Sequence, residues 1–159
     1  MLRAPQIAPD LTLPLFGGGE SHFYDNTGKL AVIIFYKFSC PTCQFAFPFL
    51  QQIYDAYGDA FYFVAIAQDG PELTEGFRER FGISIPTLMD LPPYPVSRSY
   101  EIVSVPSIFL VESDHRILYS EHGFVKQEFL NLTDLLAEKS GRSQIDIFGD
   151  ADIPEFKPG

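Results

Sequence analysis

At 159 residues, 46% of them hydrophobic, the chain has the size of one domain and enough apolar material for an ordinary core, so it does not depend on disulfide staples. Its 11 Lys and Arg against 21 Asp and Glu leave a formal net charge of −10, which repels phosphate backbones and anionic membrane surfaces and argues against nucleic acid or a membrane as partner. No run reaches the ~18 apolar residues of a membrane-spanning helix, and residues 1–9 lack the hydrophobic segment of a signal peptide. The expectation is a soluble, cytoplasmic protein, or a periplasmic one if the chain is trimmed.

Residues 9–30 read as an N-terminal hairpin, with turns at 17–19 and at 25–28. Residues 31–36, AVIIFY, form an unbroken apolar run, as expected of a strand buried on both faces. After Cys40, Pro41 fits the first turn of a helix because its missing N–H would have no intrahelical partner there. Ser39 is the expected cap. Phe45, Phe49, Ile53 and Tyr57 recur every four residues, and Gly58 ends that helix. Residues 61–67 are a second buried strand, so strand, helix and strand predict a right-handed parallel crossover. Asp69 is placed to cap a helix over 71–81 that puts Leu73, Phe77 and Phe81 on one side. A Pro-rich loop and a short helix at 96–100 precede two strands, 107–111 and 117–122, close enough for an antiparallel hairpin. A last helix carries Val125, Phe129, Leu132 and Leu136 and stops at Gly141. These pieces form one domain over 1–141. Residues 142–159, acidic and without a sustained period, read as a loosely ordered tail.

The chain's two cysteines, Cys40 and Cys43, are three apart. A bridge across so short a loop removes little unfolded-state entropy and is poor scaffolding. A helix N-terminus, in contrast, lowers a thiol's pKa, so Cys40 is the expected nucleophile. Cys43, one turn on, can attack a mixed disulfide formed on Cys40. Lys37 either adds positive potential or turns to solvent. Two other readings of the pair stay open. Half a zinc site is one, although His22, His115 and His122 show no paired ligand spacing. A pair of inert buried thiols is the other. No cofactor is expected beyond the Cys40–Cys43 disulfide itself.

The segments APDLTLP, AVIIFYKFSCPTC and SRSYEIVSVPSIFLV, with Pro48 in the helix, resemble the thioredoxin-like superfamily from about residue 8 to residue 139. Within it they resemble the redoxin group of TlpA-type thiol:disulfide oxidoreductases and the AhpC/TSA-related peroxiredoxins. The resemblance implies an α/β three-layer sandwich, its central mixed sheet flanked by helices, with an N-terminal β-hairpin and a redoxin-type insertion at 82–100. It also implies that Pro106 is a cis-proline facing the disulfide, with the backbone of Val105 offered to an extended substrate; the alternative is an ordinary trans proline opening a strand. Pro41 and Thr42 then lie between the reacting sulfurs. The partners implied are a protein or small-molecule disulfide and a reductant or oxidant that recharges the pair.

Three departures stand out. Ser39 replaces the family's usual Trp before the first cysteine, leaving Tyr36 as the nearby aromatic. Ile34 replaces thioredoxin's buried acid, and Ala46 replaces the Glu common in TlpA-type proteins. Neither familiar proton acceptor for Cys43 is present. Two rival functions remain. A peroxiredoxin-like peroxidase is one, although the Thr or Ser and Pro that precede a peroxidatic cysteine are missing before both Cys40 and Cys43. The other is a non-catalytic redox sensor or binding module on the same fold.

Overall fold

The computed structural model describes residues 1–26 and 28–159. Thr27, within the predicted turn at 25–28, therefore lies outside the described residues.

The sheet is built on alternation within fully buried strands. Strand β3 (Ala31–Tyr36) turns Val32, Ile34 and Tyr36 to one face and Ala31, Ile33 and Phe35 to the other, and all six are buried. β4 (Tyr62–Ala67) pairs parallel to β3, and β5 (Thr87–Met89) pairs parallel to β4. On the other side β6 (Ser107–Val111) runs antiparallel to β3 and is followed by β7 (Ile117–His122), giving the order β5-β4-β3-β6-β7.

One face is covered by α1 (Pro41–Tyr57), α2 (Pro71–Phe81) and α4 (Lys126–Ser140), which supply Phe47, Leu50, Phe77 and Leu132 to a single cluster. The other face is closed by the hairpin β1 (Thr12–Pro14) and β2 (Glu20–His22) and by the short α3 (Pro95–Ser99), through Leu13, Phe23, Val96 and the neighbouring Tyr100. A mixed sheet between two such layers is the architecture that the resemblance implies.

The helix ends account for most local differences from expectation. Cys40, not Ser39, caps α1: its backbone is extended and its sulfur accepts the Cys43 N–H. Asp69 does not cap α2, which starts from Gly70 without a side-chain cap. Leu73 is 48% exposed while Thr74 is buried, because α2 is rotated to bring Phe77 between the α1 and β3 rings.

The segment 142–159 is the larger difference. Ile147 and Phe148 are buried, Phe148 against Phe49 and Phe124, and β9 (Phe156–Lys157) pairs antiparallel with β8 (Phe124–Val125). Apolar residues without a helical or strand period can still each find a pocket, and periodicity carries no trace of that.

Candidate active site

Strand β3 ends in the middle of the sheet, so the chain must leave it over the sheet's edge, and residues 37–40 make that turn into α1. The turn is held from several sides. Asp69, at the end of the neighbouring strand, accepts the Phe38 N–H at 2.7 Å, Gln44 donates to the Phe38 carbonyl at 2.9 Å, and the Cys40 N–H reaches the Lys37 carbonyl at 3.2 Å. Pro41 follows as the first helical residue.

The two sulfurs, both free thiols, stand in opposite environments. Cys40 is partly exposed, and its ionised form is favoured first by a hydrogen bond from the Cys43 thiol and then by the backbone N–H groups of Cys43 and Thr42. These outweigh burial and bring its pKa from the ordinary 9.0 down to about 6. As a neutral thiol it instead donates to the Val105 carbonyl at 3.2 Å. Cys43 is fully buried among α1, α2 and sheet residues. Burial is the main force pushing its pKa far up, and the adjacent Cys40 pushes the same way.

Across from the sulfurs, the Val105–Pro106 peptide is cis, as the resemblance implies. Pro106 is buried and its carbonyl accepts the Gly123 N–H at 2.8 Å. Thr42 is also buried, and its Oγ1 donates to the Pro158 carbonyl at 2.5 Å. Lys37 and Ser39 are exposed, and Lys37 meets the site through its backbone. Tyr36 lies 1% exposed beneath the site, with ring centroids 4.5 Å from Phe47 and 4.6 Å from Phe77, and its hydroxyl makes no hydrogen bond among the described residues. It supports the site from below and does not face a substrate.

Two contributors were not picked out from the sequence as parts of the site. Asp69 anchors the turn before Cys40, and the available signal was its place just past the strand adjacent to β3. Residues 156–159 run alongside the site, and no local pattern marks them. Among the described residues no group of three or more His, Cys, Asp or Glu side chains is arranged to hold a metal ion, and no helix is long and apolar enough to cross a membrane.

This combination, a dithiol at a strand-to-helix junction facing a cis-proline loop over a mixed sheet, defines a thioredoxin-like protein. Solved structures agree on the fold. A candidate protein disulfide isomerase from Bacteroides thetaiotaomicron superposes with a TM-score of 0.80 at 19% identity, covering 89% of this chain and 92% of its own. The thioredoxin domain of a thiol-disulfide oxidoreductase from Bacteroides vulgatus gives a TM-score of 0.74 at 24% identity, covering 85% and 98%. In sequence, the thiol-disulfide oxidoreductase ResA of Halalkalibacterium halodurans is 26% identical over 142 residues, which is 87% of this chain and 76% of that protein. The AhpC/TSA family model matches residues 5–120, and the chain belongs to that family.

Proposed function

We propose that the protein is a thiol:disulfide oxidoreductase in which Cys40 attacks and Cys43 resolves. The observation that carries this is a partly exposed sulfur, its pKa near 6, that accepts the backbone N–H of Cys43 at 3.1 Å, with the Cys43 thiol itself buried one turn further on. The similarity to ResA supports the same reading. The Cys40 thiolate attacks one sulfur of a substrate disulfide. That S–S bond breaks, a Cys40 mixed disulfide forms, and the other substrate sulfur leaves as a thiolate. Cys43 then loses its proton and attacks the Cys40 sulfur, which releases the second substrate thiolate. Two electrons pass to the substrate, and the protein is left with a Cys40–Cys43 disulfide that a dithiol reductant must reopen; with an oxidant the sequence runs backwards.

Part of what holds the proton on Cys43 is the charge on Cys40, and this disappears once Cys40 is covalently bonded. The resolving thiol is thus easier to ionise in the mixed disulfide than in the resting dithiol. Val105 offers its carbonyl to an extended substrate segment. Neither the fold nor the relatives support the cytoplasmic expectation. Direction follows from the pair's reduction potential against that of its surroundings.

The test is insulin reduction with dithiothreitol as electron source. Cys40→Ala is expected to abolish turnover, and Cys43→Ala to accumulate mixed disulfides through Cys40. Complexes trapped through Cys43 in the Cys40→Ala variant would reverse the roles. Rapid hydrogen peroxide consumption lost in Cys40→Ser, without insulin reduction, would replace the proposal with a peroxidase.

A further inference from the structure

The chain's own residues 155–159 run along the rim of the active site, Phe156–Lys157 as the short strand β9. The Glu155 carbonyl accepts the Lys126 N–H at 2.9 Å, and Phe156 and Lys157 pair with Val125 and Phe124. The Lys157 ammonium sits 5.0 Å from the centre of the Phe45 ring, on the helix that carries both cysteines. The Pro158 carbonyl takes the hydroxyl of Thr42, one of the two residues between the cysteines. Gly159 then packs so closely on the proline loop that a Cβ there would lie 2.7 Å from the Val105 carbonyl, the group that also meets the Cys40 sulfur.

The receiving surface is shaped for a main chain at close range. Gly123, next to β8, has φ +74, and a Cβ on it would come 2.6 Å from the Lys157 carbonyl. Glycine serves there twice, by adopting the left-handed backbone and by leaving room for the strand. The contacts of this segment are mostly main-chain pairing, and its side chains are largely exposed, Phe156 at 55%.

We infer that the β8 edge, Thr42 and the Val105 carbonyl form a docking surface for an extended peptide. In the resting molecule residues 155–159 fill it, so a protein substrate reaches Cys40 by displacing them. The substrate segment would pair with β8 by strand addition and take over the place of Lys157 and Pro158. The class able to displace the segment is an extended, main-chain-accessible stretch around a disulfide, whereas a compact small disulfide reaches the sulfur beside the docked segment. The inference rests on the oxidoreductase proposal for its substrate, but the covering of Cys40 can be read without turnover.

Two variants separate the cases: a chain shortened after Pro154, and Gly159→Ala, whose added Cβ must lift the segment from Val105 while leaving the core untouched. For each, insulin reduction, glutathione disulfide reduction and alkylation of Cys40 by a polyethylene glycol-linked maleimide are compared with the full chain. The shortened chain is expected to reduce insulin and react with the bulky maleimide roughly tenfold faster, which corresponds to about 1.4 kcal/mol of docking. Gly159→Ala should move both rates the same way, and glutathione disulfide should change least. If neither variant accelerates insulin reduction or maleimide reaction, or if both slow them, the segment is not a displaceable cover. If no form reduces insulin while the maleimide rates still rise, the covering stands and the proposed function falls.

Discussion

The turn from β3 into α1 and the segment 142–159 reach the same site from distant parts of the sequence, and they are held in different ways. The turn rests on a strand with every residue buried and on a helix whose Phe47, Leu50 and Ile53 are fully enclosed. The far segment is anchored by Ile147 and Phe148 and then lies on the surface through a two-residue pairing and a few hydrogen bonds. Reactive atoms belong on the first kind of support and replaceable contacts on the second, because positional precision needs dense packing whereas exchange needs a small opening free energy.

Substitutions can break or sharpen that contrast. Phe47→Ala removes a fully buried ring from between Tyr36 and Phe77 and should cost about 3–5 kcal/mol in denaturant unfolding. A loss below about 1 kcal/mol would mean that the helix carrying the cysteines is loosely packed. Asp69→Ala leaves the Phe38 N–H without its acceptor, and about 1–3 kcal/mol of destabilisation is expected, with a slower Cys40 alkylation that Asp69→Asn partly restores.

Next in size is a pH effect. Cys40's pKa of about 6 in the fold lies below the ordinary 9.0, so its ionisation stabilises the dithiol protein fully above about pH 9, and this contribution is lost as pH falls through 6. Cys43 has the opposite sign: its raised pKa favours the fold below about pH 9 and is a growing cost above it. Iodoacetamide alkylation of Cys40 should therefore be half-maximal near pH 6 and fall to roughly a tenth of its plateau one pH unit lower. An inflection near 9 would remove the activated thiol. The smallest effect is expected from Phe156→Ala, which should change global stability by less than about 0.5 kcal/mol because the ring is mostly exposed.

The elements that position the sulfurs were legible because their signals are local. An all-apolar run at 31–36, a Pro after Cys40 and a four-residue apolar spacing describe β3 and α1 within a residue or two. Gly82 and Gly141 ended their helices in the left-handed conformation where expected. What could not be read were choices made by distant partners. Asp69 faces two claims, its own helix and the Phe38 N–H, and only the fold shows that the second wins. Leu73 and Thr74 exchange inside and outside through a small rotation of α2 that spacing alone does not fix. Residues 142–159 show no period because only two adjacent side chains, Ile147 and Phe148, are buried there, and β9 pairs with β8, a strand far back in sequence.

That the atom opening α1 is itself a thiol sulfur has a mechanical corollary. Elsewhere a helix begins on a hydroxyl or carboxylate that is a bystander to chemistry, and changing the reactive group leaves the lid of the helix alone. In this protein Cys40 fastens the first turn by accepting from Cys43, the very residue to which it can be covalently joined. Closing the pair swaps one tether for another between the same two residues, so the helix keeps its starting point whether the electrons are stored or spent.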